Sequence, residues 1–267
     1  MQQEISVTTE TRALKPLPLS SALLFFGIPA LVFVFSVYYL IPYLMGQGYT
    51  EFISYGLALL IPLILMLVAS LIGLQMEGYP INWESIKERF RLRKMTKTDW
   101  TWTAISLVIM LVGAGFFGVL AQILVTNGFI PLPSRIPTAL LDPTVDPANV
   151  TNVFFNALGP NVKGNWGLVV FTLVLLFFNI IGEEFWWRGL ILPRQELTHG
   201  KNTWLFHGTL WAAFHAFKYW SAIGLLPVCL VLSYVAQRRQ NTWPGITTHF
   251  IINGLSLIPL IGVVLGS

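Results

Sequence analysis

Long apolar runs dominate this chain and leave it few folds. They lie near residues 20–45, 52–75, 101–125, 166–192, 203–220, 222–237 and 244–265, and several exceed the roughly 18 residues that mark a candidate membrane span. Only short loops separate the last three. No water reaches a bilayer interior to pair with backbone N–H and C=O groups, so every span must be a helix. The expected fold class is all-α: a polytopic integral membrane helical bundle of about seven (six to eight) transmembrane helices, with a polar intramembrane cavity open to the cytoplasm. Charged residues fill only 10% of the 267 positions, where a soluble domain carries roughly a quarter. Residues 1–18 read as a polar cytoplasmic tail, and 19–267 as a single membrane-embedded domain with its motif-bearing core at 165–255. The first apolar run is too long for a signal-peptide core and reads as a retained span.

Basic residues set the orientation, because they concentrate on the cytoplasmic side of membrane proteins. Arg12 and Lys15 precede the first span, and the next loop, "GQGYTE", holds no basic residue. The loop "NWESIKERFRLRKMTKTD" carries Lys87, Arg89, Arg91, Arg93, Lys94 and Lys97, whereas the long segment 126–165 has only Arg135 and Lys163. Arg194 and Lys201 follow the fourth span, Lys218 ends the fifth, and Arg238 and Arg239 end the sixth. This alternation puts the amino terminus inside and the carboxy terminus outside. Size and short tails point to a bacterial inner membrane. The net charge of +4 is a matter of topology and implies no nucleic acid. The loop 82–98 reads as a positive-inside anchor that also meets anionic lipid. A single cysteine, Cys229, excludes an intramolecular disulfide framework and a Cys-rich metal motif.

Polar groups inside the spans are few. Of twelve acidic residues, only Glu183 and Glu184 fall well within a span, in "FFNIIGEEFWWRGLILP", with Arg188 close behind. An ion at such a depth costs roughly 2.5–3.5 kcal/mol on the mildest scales and marks function by default. At 1.5 Å per helical residue from the cytoplasmic side, Glu183 is about 15 Å deep, His215 about 18 Å, His249 about 8 Å and Asn253 about 14 Å. Three separate spans thus bring polar groups to a similar level.

Helical spacing divides the roles. Glu184 and Arg188 stand at i and i+4, the separation at which side chains on one face meet and neutralise each other. Glu183 is turned about 100° away and has no charged residue at i±3 or i±4. It is the carboxylate left over, suited to taking a proton and returning it. His249 and Asn253 also share a face, where an imidazole and a carboxamide can orient water or donate to a developing oxyanion. Trp211 and His215 have the same spacing, and Trp187 and Trp211 are candidates for the walls of a substrate pocket. Glu183, His215 and His249 together could hold a water or a divalent metal such as zinc, although the H-E-x-x-H helix of zinc proteases is missing and no cofactor is required. No serine, cysteine or aspartate is placed to act as a nucleophile at that depth. His207, near the start of its helix and about 80° around from His215, reads as structural.

The motifs "EEFWWR" (183–188), "WAAFH" (211–215) and "HFIIN" (249–253) resemble the pattern of the CAAX-protease and bacteriocin-processing (Abi) family of intramembrane peptidases. That pattern is E-E-x-x-x-R on one span, F-x-x-x-H on the next and H-x-x-x-N or H-x-x-x-D on a later one, and the likeness covers roughly 165–255. Trp211 departs from it, since the family carries Phe there. The resemblance implies an endopeptidase acting on a membrane-associated protein or peptide, with Glu183 as the base that activates water and His215 helping to bind it. His249 and Asn253 would stabilise the tetrahedral intermediate, while Glu184 and Arg188 keep the site in shape. The family includes eukaryotic endopeptidases that remove the last three residues of prenylated CAAX proteins, and bacterial members linked to peptide processing and bacteriocin self-immunity. Two rival readings remain: a proton-coupled transporter, because intramembrane carboxylates and histidines also build relays, and a non-catalytic peptide-binding or immunity protein.

Overall fold

The structure is a computed structural model and describes residues 14–133, 136, 144–145 and 149–266. Arg12, Arg135, most of the tail 1–18 and much of the middle of the segment 126–165 lie outside the described residues. Every regular element among those described is helical. They are α1 (Leu19–Phe35), α2 (Ile41–Gly46), α3 (Glu51–Met76), α4 (Trp83–Arg89), α5 (Lys97–Thr126), α6 (Val150–Leu158), α7 (Trp166–Glu184), α8 (Leu192–His199), α9 (Thr203–Phe214), α10 (Ala222–Arg239), α11 (Trp243–Gly254) and α12 (Leu257–Leu265). A π-helical stretch, Ser36–Leu40, joins α1 to α2, and another, Phe185–Ile191, joins α7 to α8.

Five helical stretches are long and apolar enough to cross a membrane: Leu19–Gly46, Glu51–Met76, Lys97–Thr126, Trp166–Arg239 and Trp243–Leu265. The fourth, at 74 residues, is more than twice the length that a bilayer needs, about 20 residues. It therefore folds back on itself, at Gly200 (φ +55°) and again at the break around Lys218 (φ −136°, ψ 48°). Contacts between its arms show the reversals. His207 meets Gln195 and Trp211 meets Glu183 across the first, while Gly208 abuts Leu230 and Trp204 meets Gln237 across the second. The outcome is the expected polytopic helical bundle, with α3 and α7 running parallel and α10 antiparallel to α5.

The local sequence explains several boundaries. Thr50 caps α3 by accepting from the Ile53 N–H, and Thr96 with Asp99 forms a reciprocal capping box at α5. Large apolar side chains face outward, with Leu31, Val112 and Phe116 about 70% exposed, as befits helices whose solvent is hydrocarbon. Polar contacts instead gather at the end that bears the basic loop. There Arg91 pairs with Glu196 at 2.8 Å and Arg239 with Asp99 at 2.7 Å. Arg89 is buried: it holds Glu77 and donates to the carbonyls of Gly189 (2.6 Å) and Leu190 (3.1 Å) in the π-helical stretch. The sequence reads this loop as a positive-inside anchor that also meets anionic lipid; within it Arg89 and Arg91 turn inward and fasten helix ends instead of meeting lipid.

Candidate active site

The site is built where α3 and α11 press against α7. A Cβ on Gly182 would lie 2.7 Å from the backbone oxygen of Leu63, so only glycine lets α3 approach the turn that carries the two glutamates. A Cβ on Gly245 would lie 2.8 Å from Glu184 Oε2, so α11 too needs glycine where it passes that carboxylate.

Glu184 is fully buried and serves two cations or potential cations. Arg188 Nη1 lies 3.2 Å from its Oε1, and His249 Nδ1 lies 3.0 Å from the same oxygen. Arg188 makes no hydrogen bond among the described residues, so the contact is ionic, and its guanidinium stacks on the Trp211 ring at 3.5 Å. The intrahelical pairing read from i,i+4 spacing is present. The partner from α11 was not legible, because spacing within one helix says nothing about the register of another.

Among the described residues, the hydrogen-bond donors to Glu183 are all neutral. Asn179 Nδ2 donates to Oε1 at 2.8 Å, while the indole N–H groups of Trp211 (2.9 Å) and Trp187 (3.3 Å) donate to Oε2. Asn179 and Trp187 are four residues to either side of it, so the i±4 positions that hold no charge hold hydrogen-bond donors instead. Asn179 was missed in the sequence, although a carboxamide one turn before a buried carboxylate is a readable signal. Asn179 Oδ1 in turn accepts from Asn253 Nδ2 at 2.6 Å, which ties α11 to α7 a second time.

The histidines can be oriented by their partners. His215 Nδ1 is 2.9 Å from the Trp211 carbonyl, which only accepts, so Nδ1 carries the proton and Nε2 keeps its lone pair. His249 Nδ1 faces the Glu184 carboxylate and is likewise the donor, again leaving Nε2 unengaged. His207 is a structural residue: its Nδ1 meets Gln195 Oε1 at 2.6 Å and its ring lies edge-on to Phe26.

A cavity of about 510 Å³ gathers these groups. Glu183, His215, His249 and Asn253 all line it, with Asn179, Trp211 and Lys218. Glu184, Arg188 and Trp187 do not, and support it from behind. Trp187 is wholly buried and stacked on Phe26 at 4.3 Å, so it belongs behind the wall of the pocket rather than on its surface. Lys218, read in the sequence as a mere span end, enters the cavity because the helix breaks at that residue. Among the described residues no three His, Cys, Asp or Glu side chains cluster as metal ligands, and Oε2 of Glu183 is held by two indoles. Glu183, His215 and His249 therefore do not fit the metal set that the sequence allowed.

Residues 165–255 match the family described as Type II CAAX prenyl endopeptidase Rce1-like. The match runs from the start of α7 to the end of α11 and contains the motif residues and Asn179, Trp211 and Lys218, while Tyr55 and Ser256 of the cavity lining fall outside it. It bears out the family resemblance read from the three motifs; residues 1–164 lie outside it. Searches of curated proteins and of solved structures gave no match.

Proposed function

We propose that the protein hydrolyses a peptide bond of a membrane-associated protein or peptide, using water activated by Glu183 and no covalent intermediate. The observation that carries this reading is the convergence of Glu183, His215, His249 and Asn253, from three helical arms, on one cavity within the bundle. Glu183 takes one proton from water while the remaining O–H is held by a hydrogen bond to His215 Nε2, and the resulting hydroxide attacks the carbonyl carbon. The oxyanion that forms is met by the second amide proton of Asn253, whose first is committed to Asn179, and by His249 as an imidazolium, whose Nε2–H donates while Nδ1–H stays on Glu184. Glu183 then returns its proton to the departing amine. Trp211 and Trp187 fix the carboxylate in one orientation, which matters because a misplaced base forfeits much of the gain from proximity.

Lys218 supplies the cavity with a positive group. It is suited to the carboxylate of a peptide terminus or acidic side chain, which would set the peptide in register with Glu183. In this reading the basic end of the bundle faces the cytoplasm, in a bacterial inner membrane; the cavity, bounded by Tyr55 near the start of α3, Lys218 at the second reversal and Ser256 past the end of α11, lies toward the opposite end, not open to the cytoplasm as the sequence suggested.

The test is cleavage of a fluorescence-quenched farnesylated peptide with a CAAX-type end by the purified protein in liposomes. Wild type cleaves it, and Glu183→Gln loses at least a hundredfold of the rate. A wild-type protein that cuts neither this nor a set of unprenylated membrane peptides, yet carries protons across the liposome, would overturn the assignment in favour of a carrier.

A further inference from the structure

Outside the catalytic cavity, a groove of about 490 Å³ runs between α1 and α3, lined by apolar side chains that include Leu24, Ile28, Val32, Pro62 and Leu65. Toward the basic end of the bundle it shares Phe25, Ala69 and Trp186 with a second hollow of about 430 Å³. That hollow has a different character, being lined by Lys15, Glu77, Tyr79 and Arg194 as well as apolar groups. Together they form one slot with an oily length and a charged mouth. Along α3 it extends from Pro62 to Met76, and at 1.5 Å per residue this is about 21 Å. Half of a hydrocarbon core is about 15 Å, so the slot spans the depth of one leaflet.

The charge at the mouth does not balance. Glu77 receives two hydrogen bonds from Arg89, which consumes both charges. Arg194 donates Nε to the Lys15 carbonyl at 3.1 Å and lies 4.0 Å from Glu77; its two Nη groups donate to none of the described residues. Its guanidinium lies over the Phe25 ring at 5.5 Å, where the two hollows meet. The Lys15 ammonium is exposed and forms no ion pair among the described residues. Two positive groups thus stand at the top of a channel of aliphatic width.

We infer that this slot is a binding site for one anionic phospholipid, its phosphate held by Lys15 and Arg194 and an acyl chain laid between α1 and α3. A forked guanidinium and an ammonium suit phosphate oxygens, and membrane-surface basic residues add affinity for anionic lipid. The site is separate from the catalytic cavity: of its lining only Phe33 is shared, and none of the polar residues there reaches it. It requires no assumption about catalysis.

The experiment is native mass spectrometry of the full-length protein purified from vesicles holding equal phosphatidylglycerol and phosphatidylcholine of identical chains. Wild type is expected to retain one phosphatidylglycerol with at least tenfold preference. Lys15→Gln with Arg194→Gln removes that preference, Arg194→Lys keeps most of it, and Ala69→Trp, which fills the oily length, removes retention of either lipid. Thermal unfolding of each variant guards against misfolding. Equal retention of the two lipids by wild type would overturn the inference, as would a preference unchanged in the double variant. Displacement of the lipid by inorganic phosphate alone would show a simple anion site, and displacement by a farnesylated peptide would show a substrate groove; either result also overturns it.

Discussion

Glu183 and Glu184 are adjacent yet hold opposite kinds of environment, and exchanging each for glutamine separates them. Glu184 and Arg188 are both wholly buried, 3.2 Å apart, and among the described residues Arg188 has no hydrogen bond to fall back on. Removing one partner of a buried ion pair costs about 3–5 kcal/mol, because the other charge is left uncompensated. For a chain of this size, 1 kcal/mol moves Tm by roughly 2–4 °C, so Glu184→Gln should lower Tm by roughly 6–20 °C. Glu183 is bound only by neutral donors, and a glutamine there keeps an acceptor for them; Glu183→Gln should move Tm by less than about 4 °C while abolishing turnover. The chain carries its own reporter: Cys229 is its one cysteine and is buried, so a thiol-reactive dye lights up as the bundle opens. Glu184→Leu combined with Arg188→Met should regain most of the lost stability, since replacing a whole buried pair by apolar groups is close to neutral. A Glu184→Gln protein that melts within 2 °C of wild type, or a Glu183→Gln protein that falls as far, would refute the division between a structural and a working carboxylate.

Other outcomes are accessible with the same material. Trp211→Phe keeps a ring over Arg188 but deletes the 2.9 Å donor to Glu183; a bond to a charged group is worth about 1.5–3 kcal/mol, so kcat should fall by roughly ten- to a hundredfold with KM little changed. An unaltered kcat would mean that the indole N–H does not position the base. Gly182→Ala drives a methyl into the Leu63 carbonyl and should destabilise by about 1–3 kcal/mol, lowering Tm in the dye assay; a neutral result would show that α3 and α7 are free to part. Lys218→Met should raise KM about tenfold for a peptide with a free terminal carboxylate and leave KM for the amidated peptide unchanged, measured side by side.

Much of this arrangement could be read before any coordinates, and the reasons differ from residue to residue. The glutamate pair stood out because ionic groups are scarce in hydrocarbon-facing helices, and the i,i+4 relation of Glu184 to Arg188 is a property of one helix. The same logic extended to Asn179 would have found the second partner of Glu183. The Glu184–His249 contact was beyond it, since the register between α7 and α11 depends on Gly245 and on close packing that no local pattern encodes. Trp211 was noticed as an enlarged ring, but its consequence lies in a nitrogen that reaches across to another helix. Lys218 does stand where a span ends, but its entry into the cavity depends on the non-helical backbone at that reversal, which no local pattern encodes. The π-helical turn after Glu184 has no evident sequence signal; its stray carbonyls are met by Arg89, from a loop a hundred residues away.

The double fastening of α11 to α7 constrains how a polypeptide could ever reach the scissile position. Glu184–His249 and Asn179–Asn253 sit about one helical turn apart, so these two helices must travel as one body, and prying them open would break the acid–imidazole and amide contacts together. The facing wall is of another kind: apart from the Tyr55 hydroxyl it is Leu59 and Leu63 of α3, Met110 of α5 and Val228 of α10, joined by dispersion contacts that slide without leaving a polar group bare. The doorway therefore belongs on that side, where a guest chain and the bilayer offer the parting helices much the same oily company.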